Sequence, residues 1–143
     1  MEDNKITFGQ GIKEYSINGK CTVAFNPADG IFAEKLYNAF DRMEKMQDGY
    51  KAQISKMGNK REIFDVARKL DQEMRVIIDE VFDAPVCDAV FGSMSVYALA
   101  DGLPAWVNLM LAVMDEINGS ISEAQTHGDE RLKKYLSKYK RKG

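Results

Sequence analysis

The stretch that most constrains the fold is Leu103–Ile117, where nearly every side chain is apolar. Its polar side chains are Asn108, Asp115 and Glu116. Pro104 suits the first turn of a helix, and Asp101 is placed to cap that turn. Gly119 predicts the end of the helix. About 15 residues are fewer than the roughly 20 that a membrane-spanning helix needs. The pattern therefore predicts a core helix, buried on several faces, around which the rest of the chain packs.

Two amphipathic helices are predicted before this stretch. The first begins at Asn26-Pro27, where Asn suits the cap and Pro the first position, and it ends at Gly58-Asn59. Its apolar positions are Phe32, Leu36, Phe40, Met43, Tyr50, Ile54 and Met57, with Gln47 as the one polar residue of the seam. Asn59 and Glu62 resemble a capping box that starts the second helix. The apolar positions of the second helix are Ile63, Ala67, Leu70, Met74, Ile77 and Val81. A connection this short favours an antiparallel αα-hairpin.

A β-hairpin is predicted at residues 12–25, because two runs of β-branched and aromatic residues flank Asn18-Gly19. A lone hairpin is marginal in water, so it either packs on the helices or pairs with a strand of another chain. Val86–Phe91 predicts a short helix that stops at Gly92. The fold class predicted is mainly α: a helical bundle built on the αα-hairpin and the buried core helix, with a small N-terminal β-hairpin.

Charge separates the end of the chain from the rest. Residues 131–143 hold seven basic residues and no acidic one, which leaves 13 basic and 22 acidic residues elsewhere, a net charge of −9. Leu132, Tyr135, Leu136 and Tyr139 lie at helical spacing between these lysines and arginines. We therefore predict one domain, residues 1–128, followed by a basic arm, residues 129–143. The N-terminus lacks the apolar core of a signal peptide, which favours a cytoplasmic protein with reduced Cys21 and Cys87.

No residue pattern indicates catalysis, a metal site or a cofactor. His127 is the only histidine, and no paired His or Cys spacing accompanies it, so a solvent-exposed role is favoured. Cys87 lies in an apolar segment without a basic neighbour, which favours a packed thiol over a nucleophile. The acidic residues Asp71, Glu73, Asp79, Glu80 and Asp83 alternate with Arg68, Lys69 and Arg75. This alternation is typical of a solvated helix face.

Two residues of the core helix have a structural and a functional interpretation. Burial of Asn108 would demand hydrogen-bond partners, and a bond to nearby backbone is favoured over a ligand contact. Trp106 more often fills a core than anchors a partner.

Three segments resemble one family: 14–29, EYSINGKCTVAFNPAD; 60–82, KREIFDVARKLDQEMRVIIDEVF; and 85–117, PVCDAVFGSMSVYALADGLPAWVNLMLAVMDEI. The chain resembles tail assembly chaperones of tailed bacteriophages and prophages of Gram-positive bacteria. The resemblance implies a non-enzymatic protein of the host cytoplasm that keeps the tape-measure protein in solution and helps tail-tube subunits polymerise. It carries no defined site residues. In such families a frameshifted, longer product is often made, and the basic arm is where an extension would begin.

The predicted partners are therefore the tape-measure and tail-tube proteins, with a homo-oligomer left open and no membrane. The predicted partner-binding residues are the helix-hairpin anchors and the basic arm: Met43, Tyr50, Met57, Arg131, Lys133, Lys134, Tyr135, Lys138 and Tyr139. Two alternatives stay open. One is a structural component of the virion tail. The other is a small regulator that binds nucleic acid through the arm, which is disfavoured because the acidic body would repel phosphates.

Overall fold

The computed structural model describes residues 4–140, without the side chains of residues 124, 126–129 and 131–140. Its elements follow in the order β1 (Lys13–Ile17), β2 (Cys21–Phe25), α1 (Gly30–Ile54), α2 (Lys60–Phe82), α3 (Val86–Val90), β3 (Leu99–Ala100), β4 (Leu103–Pro104) and α4 (Ala105–Lys140). The predicted fold class is confirmed: the described chain is mainly helical, with one small β-hairpin at its N-terminal side. No helix among residues 4–140 has the length and apolar character needed to cross a membrane.

The β1–β2 hairpin forms as predicted around Asn18-Gly19. Both residues have positive φ angles, 51° and 67°, which Asn and Gly tolerate better than other residues. The antiparallel register pairs Tyr15 with Val23 and Ile17 with Cys21. Alternation directs these side chains to one face, which packs against the helical core, while the residues between them are exposed.

Helices α1 and α2 form the antiparallel pair that the seam spacing predicts, but α1 begins later than expected. Its N-cap is Asp29, whose carboxylate accepts a hydrogen bond from the N–H of Ile31 at 3.0 Å. Asn26 instead accepts a bond from the N–H of Ala28 and donates one to the carbonyl of Gln10, so it closes a turn before the helix. Asn59 caps α2 as predicted, accepting from the N–H of Arg61 at 2.9 Å, but Glu62 forms no return bond to Asn59 that would complete the capping box.

The sequence prediction for the start and the end of helix α4 is wrong at both positions. Asp101 does not cap it: Asp101 and Gly102 form the tight turn between β3 and β4, with φ angles of 54° and 84°. The first N–H groups of α4 are satisfied by backbone, because Ala105 and Trp106 donate to the carbonyls of Ala98 and Val96 at 2.8 Å each. Gly119 does not stop the helix, which continues to Lys140. The predicted separate helix of the basic arm is therefore the end of α4.

The core joins one face of every long helix with the inner face of the hairpin. Trp106 is buried at its centre, and its indole N–H donates to the side-chain oxygen of Gln47 at 2.7 Å. This bond explains the one polar residue in the α1 seam, since a buried indole N–H without an acceptor is costly. The prediction that Leu103–Ile117 is buried on several faces is corrected: Leu111 and Ala112 are exposed.

Candidate functional site

An open groove lies between the β1–β2 hairpin and the first half of α4. We call it the hairpin–α4 groove, and its cavity volume is about 570 Å³. Its apolar lining comprises Tyr15, Ile17, Val23, Phe25, Val90, Phe91, Met94, Ala100, Ala105, Leu109, Ala112 and Val113. This volume and apolar lining are typical of surfaces that bind a ligand or a partner segment.

The sheet wall of the groove is held by stacked aromatic rings. Tyr15 stacks on Phe25 with ring centroids 4.7 Å apart, and Phe25 stacks on Phe32 of α1 at 4.3 Å. The Tyr15 hydroxyl is buried and has no hydrogen-bond partner among the described residues. Because this oxygen is shielded from solvent, the wall presents the apolar ring of Tyr15 to an incoming segment.

The helix wall is formed by the flank of α4 that carries Ala105, Leu109 and Ala112. Ala112 is exposed, and its small side chain leaves room for a partner's backbone to approach α4, whereas Ala105 is buried. Asn108 lies on this flank and donates to the carbonyl of Ala100 at 2.8 Å, which fixes the β3–β4 turn against the helix. The prediction that Asn108 bonds to neighbouring backbone is confirmed.

Charged side chains also line the hairpin–α4 groove. Asp101 and Glu116 contribute the carboxylates. Lys20 contributes the one ammonium group in the lining and donates to the carbonyl of Val90 at 3.3 Å. A bond to a neutral carbonyl leaves the ammonium charge in place, so the two carboxylates and one ammonium give the lining a net charge of −1.

A polar cluster that the sequence interpretation missed fixes one end of the groove. Arg75 of α2 donates to the carboxylates of Asp71 and Asp88, and also to the carbonyls of Gly92 and Met94 at 2.8 Å each. Both Arg75 and Asp71 are largely buried, with 15% and 18% of their side chains exposed. The arginine therefore positions the backbone that carries Met94, a lining residue of the groove.

The carboxylates of α2 consequently do not form the uniform solvated face that their alternation with basic residues predicts. Asp71 accepts from the N–H of Val96 at 2.7 Å, and Asp79 accepts from the N–H of Cys87 at 2.9 Å. These bonds hold α3 and the segment before α4 onto α2. In the sequence, the i, i+4 spacing of Asp71 and Arg75 is typical of a surface ion pair. Their other partners lie at residues 88–96, and only the folded structure brings those residues next to α2.

The predicted helix-hairpin anchors are not brought together. Met43 is fully buried in the core, so the prediction that it binds a partner is wrong. Tyr50 is half-buried beside Tyr97, with ring centroids 6.1 Å apart, and Met57 is half-buried at the α1–α2 connection. A shallow depression of about 480 Å³ does lie on the outer face of the helix pair. It is lined by Arg42, Met46, Glu73, Val76, Ile77 and Glu80.

The side chains of the remaining predicted residues lie outside the described part of the structure: His127, Arg131, Lys133, Lys134, Tyr135, Lys138 and Tyr139. Their backbone belongs to α4.

Cys87 is the most perturbed ionisable group in the described chain. Burial raises the pKa of its thiol far above the ordinary value, and the nearby carboxylate of Asp79 raises it further. The thiol is therefore protonated near neutral pH, which agrees with the predicted packed role. Among the residues that the structure describes, no group of three or more His, Cys, Asp or Glu side chains is arranged to hold a metal ion.

Comparison with known proteins does not assign the chain to a family. No family model matches the chain, and neither a curated protein nor a solved structure shows significant similarity to it.

Proposed function

We propose that this protein is a non-enzymatic tail assembly chaperone of the phage type, which acts in the host cytoplasm and binds apolar segments of the tape-measure or tail-tube protein. The observation that carries the proposal is the hairpin–α4 groove, an open and mainly apolar surface of about 570 Å³. The resemblance of residues 14–29, 60–82 and 85–117 to such chaperones supplies the class of partner.

The chemistry of the groove suits transient capture of another protein. Leu109, Met94 and Ala112 offer apolar contact, and the thioether of Met94 adapts to differently shaped side chains. Met94 is 47% exposed, so this contact area faces solvent when no client is bound. The client that the resemblance implies is the tape-measure protein, which must be kept in solution, and we expect the segments that the groove captures to be apolar.

A retention experiment tests the proposal with full-length protein. The chain is co-expressed with the tape-measure and tail-tube proteins of the same tail module, and the clients retained on the tagged chain are quantified. Ala112→Glu places a charge on the exposed groove wall and is expected to lower retention at least about tenfold, since a charge desolvated against apolar surface is costly. Ala52→Glu is the matched control, because Ala52 is also an exposed helical alanine but lies on α1, away from the groove.

Equal retention by the two variants would exclude the groove as the client site. Failure of the unaltered chain to retain either client, with all proteins folded, would overturn the chaperone proposal. Mass spectrometry of purified particles separates the chaperone from a structural tail component, because the chaperone is expected to be absent from the finished virion.

A further inference from the structure

The hairpin–α4 groove also has a candidate occupant within this protein's own sequence. We infer that the groove of one copy binds the basic arm, residues 129–143, of a second copy. The inference rests on the proposed function of the groove as a binding surface, and it adds a means by which the protein covers that surface until a client arrives.

Charge complementarity favours this occupant. The groove lining carries the carboxylates of Asp101 and Glu116 and the ammonium of Lys20, so its net charge is negative. The arm holds seven basic residues and no acidic one within 131–143, while the rest of the chain has a net charge of −9. Opposite charges of this size steer encounter and fix orientation.

The apolar pattern of the arm matches a groove-binding helix. Leu132, Tyr135, Leu136 and Tyr139 follow the i, i+3, i+4, i+7 spacing with which amphipathic helices enter apolar grooves. The backbone of the arm is helical as far as Lys140. The groove offers apolar walls that such a helix face can contact.

The continuity of α4 makes the contact intermolecular. The groove ends near Glu116, and the arm begins 13 residues further along the same helix, about 20 Å away at 1.5 Å per residue. Because α4 continues unbroken from Ala105 to Lys140, the arm points away from its own groove and cannot return to it without breaking the helix. Groove and arm are different surfaces of the protein. If two copies each place their arm in the other's groove, a closed dimer forms, and if each arm binds the next copy in a row, longer assemblies form.

Sedimentation velocity of the full-length protein without any client tests the inference. The unaltered chain is expected to associate as its concentration rises, and less so at high salt. Two variants are each expected to weaken association at least about tenfold: Ala112→Lys in the groove, which adds a cation facing the basic arm, and the triple change Lys133→Glu, Lys134→Glu, Lys138→Glu in the arm. The control Lys51→Glu, Lys56→Glu, Lys60→Glu makes the same charge change at exposed lysines of the helix pair and is expected to associate like the unaltered chain.

Mixing the two weakened variants provides the decisive measurement. The triple arm variant keeps an intact groove and Ala112→Lys keeps an intact arm, so the mixture is expected to form a mixed complex that neither forms alone. A monomeric unaltered chain, association unaffected by either change, or a mixture that remains monomeric would each overturn the inference. Because no client is present, these outcomes are separate from a failure to retain a tail protein.

Discussion

Buried polar residues show what single side chains do in this protein. Gln47 interrupts the apolar seam of α1 because its side-chain oxygen accepts the indole N–H of buried Trp106. Arg75 is spaced like one member of a surface ion pair, but in the structure it donates to four acceptors. For Cys87, in contrast, the apolar residues around it in the sequence already predict that its thiol is buried. At this scale, a side chain's role follows from whether its polar atoms are paired once water is removed.

Cys87 makes stability depend on alkaline pH. In the folded state burial and Asp79 hold the pKa of the thiol above its ordinary value of about 8.5, so the unfolded thiol ionises first as pH rises. The unfolded state then binds fewer protons than the folded state, and the free energy of unfolding falls above about pH 8.5, by at most about 1.4 kcal/mol per pH unit. Urea denaturation between about pH 8 and pH 10 checks this for the unaltered chain and Cys87→Ala. Cys87→Ala is expected to lose this contribution to the slope, and parallel pH profiles would contradict the assignment.

Two elements depend on features that their own sequences do not reveal. The segment from α3 to β3 has little regular structure and is held to α2 by hydrogen bonds. Arg75 donates to its carbonyls, and the carboxylates of Asp71 and Asp79 accept from its N–H groups. Helix α4 runs through Gly119, a residue that usually marks a helix end. Contacts distant in the sequence hold the α3–β3 segment, and the residues on either side of Gly119 include the buried Ile117 and Ser120.

Loss of the Arg75 side chain is expected to detach that segment. Arg75→Leu removes four hydrogen bonds and leaves Asp71 largely buried without its ion partner, which is expected to lower the free energy of unfolding by about 2–4 kcal/mol. Arg68→Leu is the matched control, because Arg68 also pairs with an aspartate of α2, Asp65, but both side chains are exposed. Its effect is expected to stay within about 0.5 kcal/mol. Similar losses in urea denaturation would show that Arg75 does not hold the segment.

Gly119 is expected to limit the stability of α4. It lies inside the helix, and a Cβ added there meets nothing within 4 Å. Gly119→Ala should therefore raise the free energy of unfolding by about 0.5–1 kcal/mol, through the lower backbone entropy of the unfolded state. Gly19→Ala gives the opposite sign, because Gly19 has a φ angle of +67° in the hairpin turn. Destabilisation by Gly119→Ala would indicate that the helix ends near that residue.

At the scale of the whole molecule, one core cluster includes residues of the hairpin, of α1 and α2, and of α4. Val23 of β2, Met43 of α1 and Trp106 of α4 are all buried in it. The hairpin is therefore part of the same packed unit as the helices, and one wall of the groove cannot move without disturbing the core. Such a unit is expected to unfold in one step.

The single tryptophan makes this cooperativity measurable. Trp106 reports the centre of the core, and far-UV circular dichroism reports the helices, so the two urea transitions are expected to coincide. Separate midpoints would show that the surroundings of Trp106 unfold independently of the helical body.

The sequence alone determined the features that rest on local chemistry: the turn at Asn18-Gly19, the cap at Asn59, the apolar seam of α2 and the burial of Trp106. Each follows from backbone preferences or from hydrophobic spacing within a few residues. Tertiary structure decided where α1 and α4 begin, the passage of α4 through Gly119, the burial of Met43 and the role of Arg75. It also created the hairpin–α4 groove, whose walls come from residues about 90 positions apart. Such a surface depends on which elements pack together, and that is set by the free energy of the assembled core and not by any one segment.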